Sequence, residues 1–92
     1  MALHVDIVAV EAKVWSGDAD MLVARTTEGE LAILAGHAPL LGQLADTGEV
    51  RVKLSNGREQ AYEVDGGFLA VSEEGVTVLA ESAIPANRDR SH

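Results

Sequence analysis

The residues of this chain that are chemically capable of metal binding or catalysis are few and scattered. Its histidines are His4, His37 and His92. No segment has the His-x-x-His or His-x-x-x-His spacing that sets two metal ligands on one side of an element. No serine lies in a nucleophile-elbow sequence, so the sequence does not identify a serine that could act as the nucleophile of a Ser-His-Asp triad. We therefore expect no metal site and no catalytic residue.

Cofactor sites are also disfavoured. Neither the Gly-x-x-x-x-Gly-Lys-Ser/Thr loop nor the Gly-x-Gly-x-x-Gly loop that cradles phosphates is present, so we expect no cofactor. Lys13 and Lys53 are the only lysines, and neither has the Asp-Lys-Ala or Met-Lys-Met setting of a lipoyl- or biotinyl-like carrier domain. Such a carrier stays an alternative. Another is a free-standing binding module or small hydrolase, which needs a deep pocket where His37 meets carboxylates.

Composition narrows the class of protein further. The formal net charge is −8, from fifteen acidic residues and seven lysines plus arginines. That charge repels nucleic acid, whose binding depends on basic side chains that displace counterions. No stretch approaches the ~20 apolar residues of a membrane span, and the start lacks the features of a signal peptide. A chain of 92 residues without cysteine predicts one soluble, cytoplasmic domain with an aliphatic core.

The elements that would position these side chains are short strands. Apolar segments end repeatedly at Gly, Asn or Asp, which predicts an all-β domain, a small flattened sandwich of about eight to ten strands. No segment keeps a 3.6-residue apolar period over three turns, so we expect no core helix, although residues 40–44 suit one helical turn. The predicted strands include residues 3–10, 13–17, 21–27, 31–34, 49–54, 68–72 and 76–80.

The sequence around Asn56-Gly57 predicts a hairpin and its register. Apolar and charged residues alternate along 49–54, which is typical of a strand with one wet face. A two-residue loop would set Val50 opposite Glu63. A three-residue loop with Gly57 left-handed in a bulge sets Val50 opposite Tyr62 and keeps the apolar side chains on one face, so we predict the longer loop.

Residues 28–40 combine an acidic turn, the apolar strand residues Leu31, Ile33 and Leu34, and a Gly-His-Ala-Pro corner. This segment resembles the signature of the epsilon subunit of F-type ATP synthases, called delta in mitochondria. Four further segments, 3–8, 15–17, 66–71 and 76–83, are similar to that family in the same order, so the resemblance covers about residues 2–84. Ala32 and Ala35 stand where the family commonly has Gly and Pro.

The resemblance implies a non-catalytic central-stalk subunit that helps couple proton flow to ATP synthesis. It would connect the gamma subunit with the c-ring, at the cytoplasmic face of a bacterial membrane and attached only through the complex. Carried over by position, Glu30 would contact the c-ring loop and His37 would lie near gamma. From the residues alone, Glu30 is a solvated surface carboxylate, and His37 is a hydrogen-bonded structural element or an interface contact.

The resemblance stops near Ile84. We expect residues 1–84 to form the sandwich and 85–92 to be a flexible tail, the remnant of a missing helical C-terminal domain. Epsilon subunits usually continue into a helical hairpin that inhibits hydrolysis and in some bacteria binds ATP. Inhibition by helices and nucleotide binding are therefore not predicted for this chain.

Overall fold

In the part of the chain that the structure describes, alternating apolar and polar residues form ten strands in two five-stranded sheets. The computed structural model describes residues 3–46 and 48–86. Thr47 and the predicted tail after Ala86 lie outside the described residues. The strands are β1 (Leu3–Ala9), β2 (Ala12–Ala19), β3 (Met21–Thr26), β4 (Gly29–Leu34), β5 (Leu40–Gln43), β6 (Gly48–Lys53), β7 (Glu59–Asp65), β8 (Phe68–Ser72), β9 (Gly75–Ala80) and β10 (Ser82–Pro85).

The two sheets have different strand orders. The first sheet runs β2-β1-β9-β8-β5, and the second runs β10-β7-β6-β3-β4. Strand β1 pairs in parallel with β9, from opposite ends of the chain, while the other pairings are antiparallel. The described residues contain no helix. The predicted all-β sandwich of eight to ten short strands is confirmed.

The core lies between the sheets and is almost wholly aliphatic. No polar or charged residue within 3–46 and 48–86 is classed as buried, so the interior carries no desolvated charge. Leu34 is 54% exposed whereas Ile33 is 0% exposed, because neighbouring residues of a strand face opposite sides of the sheet. Leu34, one of the apolar residues of the predicted strand, therefore lies on the outer face and not in the core. The buried side chains are Leu3, Val5, Ile7, Ala19, Leu22, Ala24, Ile33, Leu44, Val50, Val52, Tyr62, Val64, Leu69, Val71, Val76, Val78 and Ala80.

The β6–β7 hairpin has the predicted register. Val50 lies opposite Tyr62, and both are buried. The Leu54 N–H donates to the Arg58 carbonyl at 2.8 Å, which closes a three-residue loop. Gly57 has a φ of 88°, a conformation that glycine adopts without steric cost. Turn chemistry and strand alternation specify the same pairing.

Two predictions of local structure were wrong. Residues 40–44 are not a helical turn, because Leu40–Gln43 is a strand paired with β8. The backbone hydrogen bonds of this strand come from a segment distant in the sequence, and local propensity cannot predict such a pairing. Pro85, placed in the tail by sequence, belongs to β10, and the next N–H, of Ala86, donates to the Ala61 carbonyl at 2.8 Å. Proline fits there because β10 is an edge strand.

Candidate functional site

Glu30 lies on the outer face of the second sheet, near the start of the edge strand β4. Its side chain is 53% exposed, and its Oε2 accepts a hydrogen bond from Arg51 Nη2 at 3.3 Å. Arg51 belongs to β6, and β3 lies between β6 and β4. The two side chains together therefore span two strand spacings, roughly 10 Å. The carboxylate is a surface group, as predicted, but it has a partner that the sequence analysis missed.

His37 lies in the corner that follows β4. Its backbone N–H donates to the Leu34 carbonyl at 3.1 Å, and its Nδ1 lies 2.7 Å from the Ala38 carbonyl oxygen. A carbonyl oxygen only accepts, so Nδ1 carries the proton in this geometry and Nε2 is the acceptor nitrogen of the neutral ring. The half-buried imidazole thus supports the corner, as one of the two interpretations of the sequence predicted.

Glu30 and His37 do not form one site. Glu30 is the second residue of β4, and His37 follows the end of that strand by three residues. Because a strand rises about 3.3 Å per residue, the backbones of Glu30 and Leu34 are about 13 Å apart, and the corner that holds His37 begins only after Leu34. The two predicted partner-binding residues lie at opposite ends of one strand, where they can serve two different contacts.

An open depression of about 530 Å³ lies beside Glu30. His37 is not among the residues that line this depression. The small-hydrolase alternative gains no support from this geometry. The depression is lined by Arg25, Glu30, Gly48, Glu49, Glu63, Val64, Asp65, Ser82 and Ile84.

A second group of charged side chains lies on the outer face of the first sheet. His4 Nε2 lies 3.3 Å from Asp6 Oδ2, and His4 Nδ1 lies 3.2 Å from Asp18 Oδ1. Ser16 Oγ donates to Asp6 Oδ1 at 2.6 Å, and Lys13 Nζ lies 3.8 Å from the same oxygen. Alternation in β1 predicts that His4 and Asp6 share a face. Their partners on β2 follow only from the register of the two strands.

The pKa of the Asp6 carboxyl is lowered from its ordinary value of 3.8, chiefly by the hydrogen bond from Ser16 and then by the nearby His4 and Lys13, against a partial desolvation that raises it. We expect Ser16→Ala to raise this pKa, as followed by NMR titration of the carboxyl carbon. Lys13→Gln should raise it less, because Nζ is farther away. An unchanged value in Ser16→Ala would contradict the assigned cause.

The sign of the pH effect follows from that lowered pKa. The folded state binds the Asp6 proton more weakly than the unfolded state does. The resulting stabilisation is complete well above pH 3.8 and is lost as the pH falls through the folded-state pKa. Acid unfolding of Ser16→Ala should therefore begin at a higher pH than that of the unmodified chain, as circular dichroism would show.

No metal centre is formed among residues 3–46 and 48–86, which hold no cluster of three or more His, Cys, Asp or Glu side chains suited to an ion. Within the same residues, no helix is long and apolar enough to cross a membrane.

The outer face of the first sheet also carries exposed apolar side chains. Phe68 lies opposite Leu79, and Leu79 lies opposite Val8 in the next pairing. Phe68 is 51% exposed, and Leu41, on the edge strand β5, is 72% exposed. Apolar side chains that share an outer face in this way are typical of a surface covered by a partner.

The family comparison matches residues 2–86 to the ATP synthase, Delta/Epsilon chain, beta-sandwich domain. An ATP synthase epsilon chain of Frankia casuarinae is 59% identical over 83 residues, which are 90% of this chain and 96% of that relative. The ATP synthase epsilon chain of Mycobacterium tuberculosis (strain H37Rv) is 53% identical over 81 residues, which are 88% of this chain and 67% of that relative.

Solved structures share the same fold. A chain in the Euglena gracilis mitochondrial ATP synthase superposes with a TM-score of 0.87 at 24% identity, over 97% of this chain and 56% of that chain. A chain in the Tetrahymena thermophila mitochondrial ATP synthase, central stalk and c-ring, gives a TM-score of 0.74 at 15% identity, over 91% of this chain and 66% of that chain. These likenesses show the fold, and the matches in sequence show that the chain belongs to the family of ATP synthase delta/epsilon chain β-sandwich domains.

Proposed function

We propose that this chain is an epsilon-type subunit of the central stalk of an F1Fo ATP synthase and that it connects the gamma subunit with the c-ring. The observation that carries the proposal is the 59% identity to an ATP synthase epsilon chain over 96% of that relative. The subunit would be non-catalytic. It would lie at the cytoplasmic face of a bacterial membrane, held there by the complex.

The fold suits a mechanical connector. Its interior is close-packed from aliphatic side chains of both sheets, and such interiors compress little under load. Torque applied to one surface of the sandwich would therefore reach another surface with little deformation. The specificity of the connection would then depend on the two surfaces that contact the partners.

The two predicted contacts lie at separate ends of β4. Glu30, exposed on the outer face of the second sheet, would meet the basic loop of the c-ring. His37, held in the corner beyond β4, would lie near gamma. With a net charge of −8, the domain complements a basic partner, and such complementarity fixes orientation and encounter rate more than affinity.

The carrier-domain alternative receives no support from the positions of the lysines. Lys13 lies within β2 and Lys53 ends β6, so neither occupies the tip of a hairpin. An attached lipoyl or biotinyl group needs such a tip to swing between sites. An intact mass equal to that of the sequence after expression with a cofactor ligase would remove this alternative.

Reconstitution tests the proposed function. The chain is mixed with gamma and the F1 head, and the mixture is separated by size-exclusion chromatography. We expect the chain to co-elute in a one-to-one ratio with gamma and to restore ATP-driven proton pumping when Fo is added. A chain that elutes alone would overturn the proposal.

Glu30→Ala should weaken coupling without unfolding the domain. Exposed ion pairs such as Glu30–Arg51 contribute about 0.2–1 kcal/mol, so urea denaturation should show a loss of at most about 1 kcal/mol, whereas proton pumping per ATP hydrolysed should fall. Glu59→Ala is the matched control, because it removes an exposed carboxylate from β7 of the same sheet. Equal effects of the two variants on pumping would count against a specific contact at Glu30.

A further inference from the structure

Three charged side chains form a row on the outer face of the second sheet. Arg51 is in the middle, with its Nη2 3.3 Å from Glu30 Oε2 and its Nε 3.9 Å from Glu49 Oε1. Glu49 and Arg51 share the outer face of β6, two residues apart, while Glu30 belongs to β4. The arginine is thus the only member of the row that joins the centre of the sheet to its edge.

The edge position leaves Glu30 with few constraints of its own. Among the described strands, β4 has a neighbour on one side only, β3, and the residue opposite Glu30 there is Arg25. More than half of the Glu30 side chain is exposed, so its three side-chain torsions are little restricted by packing. A glutamate of this kind loses rotamer entropy when it is immobilised.

Arg51 is better anchored. Its side chain is 37% exposed, and it lies between Val23 of β3 and Ala61 of β7 in the strand pairing. Small apolar neighbours let the methylene groups of an arginine lie along the sheet while the guanidinium stays at the surface. The planar guanidinium also offers donors in a fixed geometry, which orients a carboxylate more tightly than a lysine ammonium does.

We propose that Arg51 is a positioning residue, which holds the Glu30 carboxylate in one orientation so that its remaining acceptor positions face a basic partner. This inference rests on the proposed function. Preorientation lowers the entropy that Glu30 loses on docking, and immobilising one such side chain costs about 0.5–1.5 kcal/mol. Loss of Arg51 should therefore weaken the contact by roughly 2- to 12-fold.

The positive charge of Arg51 affects binding to a cationic partner in the direction opposite to its positioning role. Removing it makes the surface more negative and so raises the rate of encounter with a cationic partner. Lys53→Ala is the control for the effect of charge. Lys53 lies two residues from Arg51 on the same strand, and its removal changes the net charge by the same amount. At 0.15 M salt the screening length is about 8 Å, which keeps this long-range effect small.

The first experiment measures orientation in the free chain. Three-bond couplings from Glu30 Cγ to the backbone nitrogen and carbonyl carbon report its χ1 populations by NMR. We expect one dominant χ1 rotamer of Glu30 in the unmodified chain and in Lys53→Ala. In Arg51→Ala the couplings should be averaged over several rotamers, and Arg51→Lys should partly restore the dominant rotamer. Couplings that are the same in the unmodified chain and Arg51→Ala would overturn the inference, whatever the fate of the proposed function.

The second experiment measures the contact in the assembled complex. Affinity of the chain for enzyme depleted of this subunit is determined at 0.15 M salt for Arg51→Ala, Glu30→Ala and the double variant. Arg51→Ala should weaken binding by about 2- to 12-fold when Glu30 is present and by less than about twofold when Glu30 is alanine. Non-additivity of this kind shows that Arg51 acts through Glu30.

The outcomes separate the two proposals. If Glu30→Ala weakens binding and Arg51→Ala does not, or if Lys53→Ala weakens it as much as Arg51→Ala does, the positioning role is overturned and the rotor function stands. If the unmodified chain fails to join the enzyme at all, the proposed function itself is overturned.

Discussion

Gly67→Ala should lower the free energy of unfolding by about 2–6 kcal/mol, because backbone strain costs about 1–3 kcal/mol and overpacking costs about 1–3 kcal/mol more. Gly67 has a φ of 114°, outside the regions that an alanine adopts without strain. A Cβ built on it would overlap the Leu79 carbonyl oxygen and lie 2.7 Å from Ala80 Cα. Both are backbone atoms of β9, which cannot rotate away. A chain of 92 residues has a total stability of only about 5–14 kcal/mol.

The neighbouring Gly66→Ala is the matched control. Gly66 has a φ of 64°, in the left-handed region that costs an L-residue about 1–2 kcal/mol. Its added Cβ would meet only Glu81 Cγ, at 3.8 Å, which is ordinary contact. Urea denaturation of both variants should show the larger loss in Gly67→Ala. Equal losses would mean that the β9 backbone moves to admit the methyl group.

Ile33→Ala is expected to cost about 2–5 kcal/mol, the usual range for truncating a buried isoleucine. Ile33 is 0% exposed and belongs to the edge strand β4, opposite Leu22 of β3, which is also buried. The cavity left by the missing atoms would lie between the two sheets, where backbone hydrogen bonds on both strands resist collapse. Thermal and urea unfolding measure the loss.

Leu34→Ala is the control for this second prediction, one residue further along the same strand. Leu34 is 54% exposed, so its truncation should change the free energy of unfolding by no more than about 0.5 kcal/mol. A loss in Leu34→Ala similar to that in Ile33→Ala would show that the two faces of β4 are assigned wrongly. The pair therefore tests the register of the edge strand that carries Glu30.

Local sequence predicted the β6–β7 hairpin in detail. Alternation placed Val50 on the buried face, and Asn56-Gly57 with an odd loop placed Tyr62 opposite it. Both signals act within a few residues, so no knowledge of the rest of the fold was needed. The same reasoning failed for Leu40–Gln43, whose pairing partner β8 lies more than twenty residues away.

The candidate site was predictable only in part. Sequence placed Glu30 on the surface and left His37 as either a hydrogen-bonded structural element or an interface contact; the structure has the exposed carboxylate and the hydrogen bond of the imidazole. It did not reveal Arg51 as the partner of Glu30, because the two residues are 21 positions apart and belong to strands separated by β3. Alternation alone showed only that Arg51 points outward.

The sequence by itself determined the fold class, the aliphatic core, the register of the β6–β7 hairpin and the exposure of Glu30. Each of these depends on side-chain period, composition or turn chemistry, which act over a few residues. Only the tertiary structure decided the parallel pairing of β1 with β9, the strand at residues 40–43 and the contact of Arg51 with Glu30. Those features bring together segments distant in the chain, and their partners are chosen by the packing of two whole sheets.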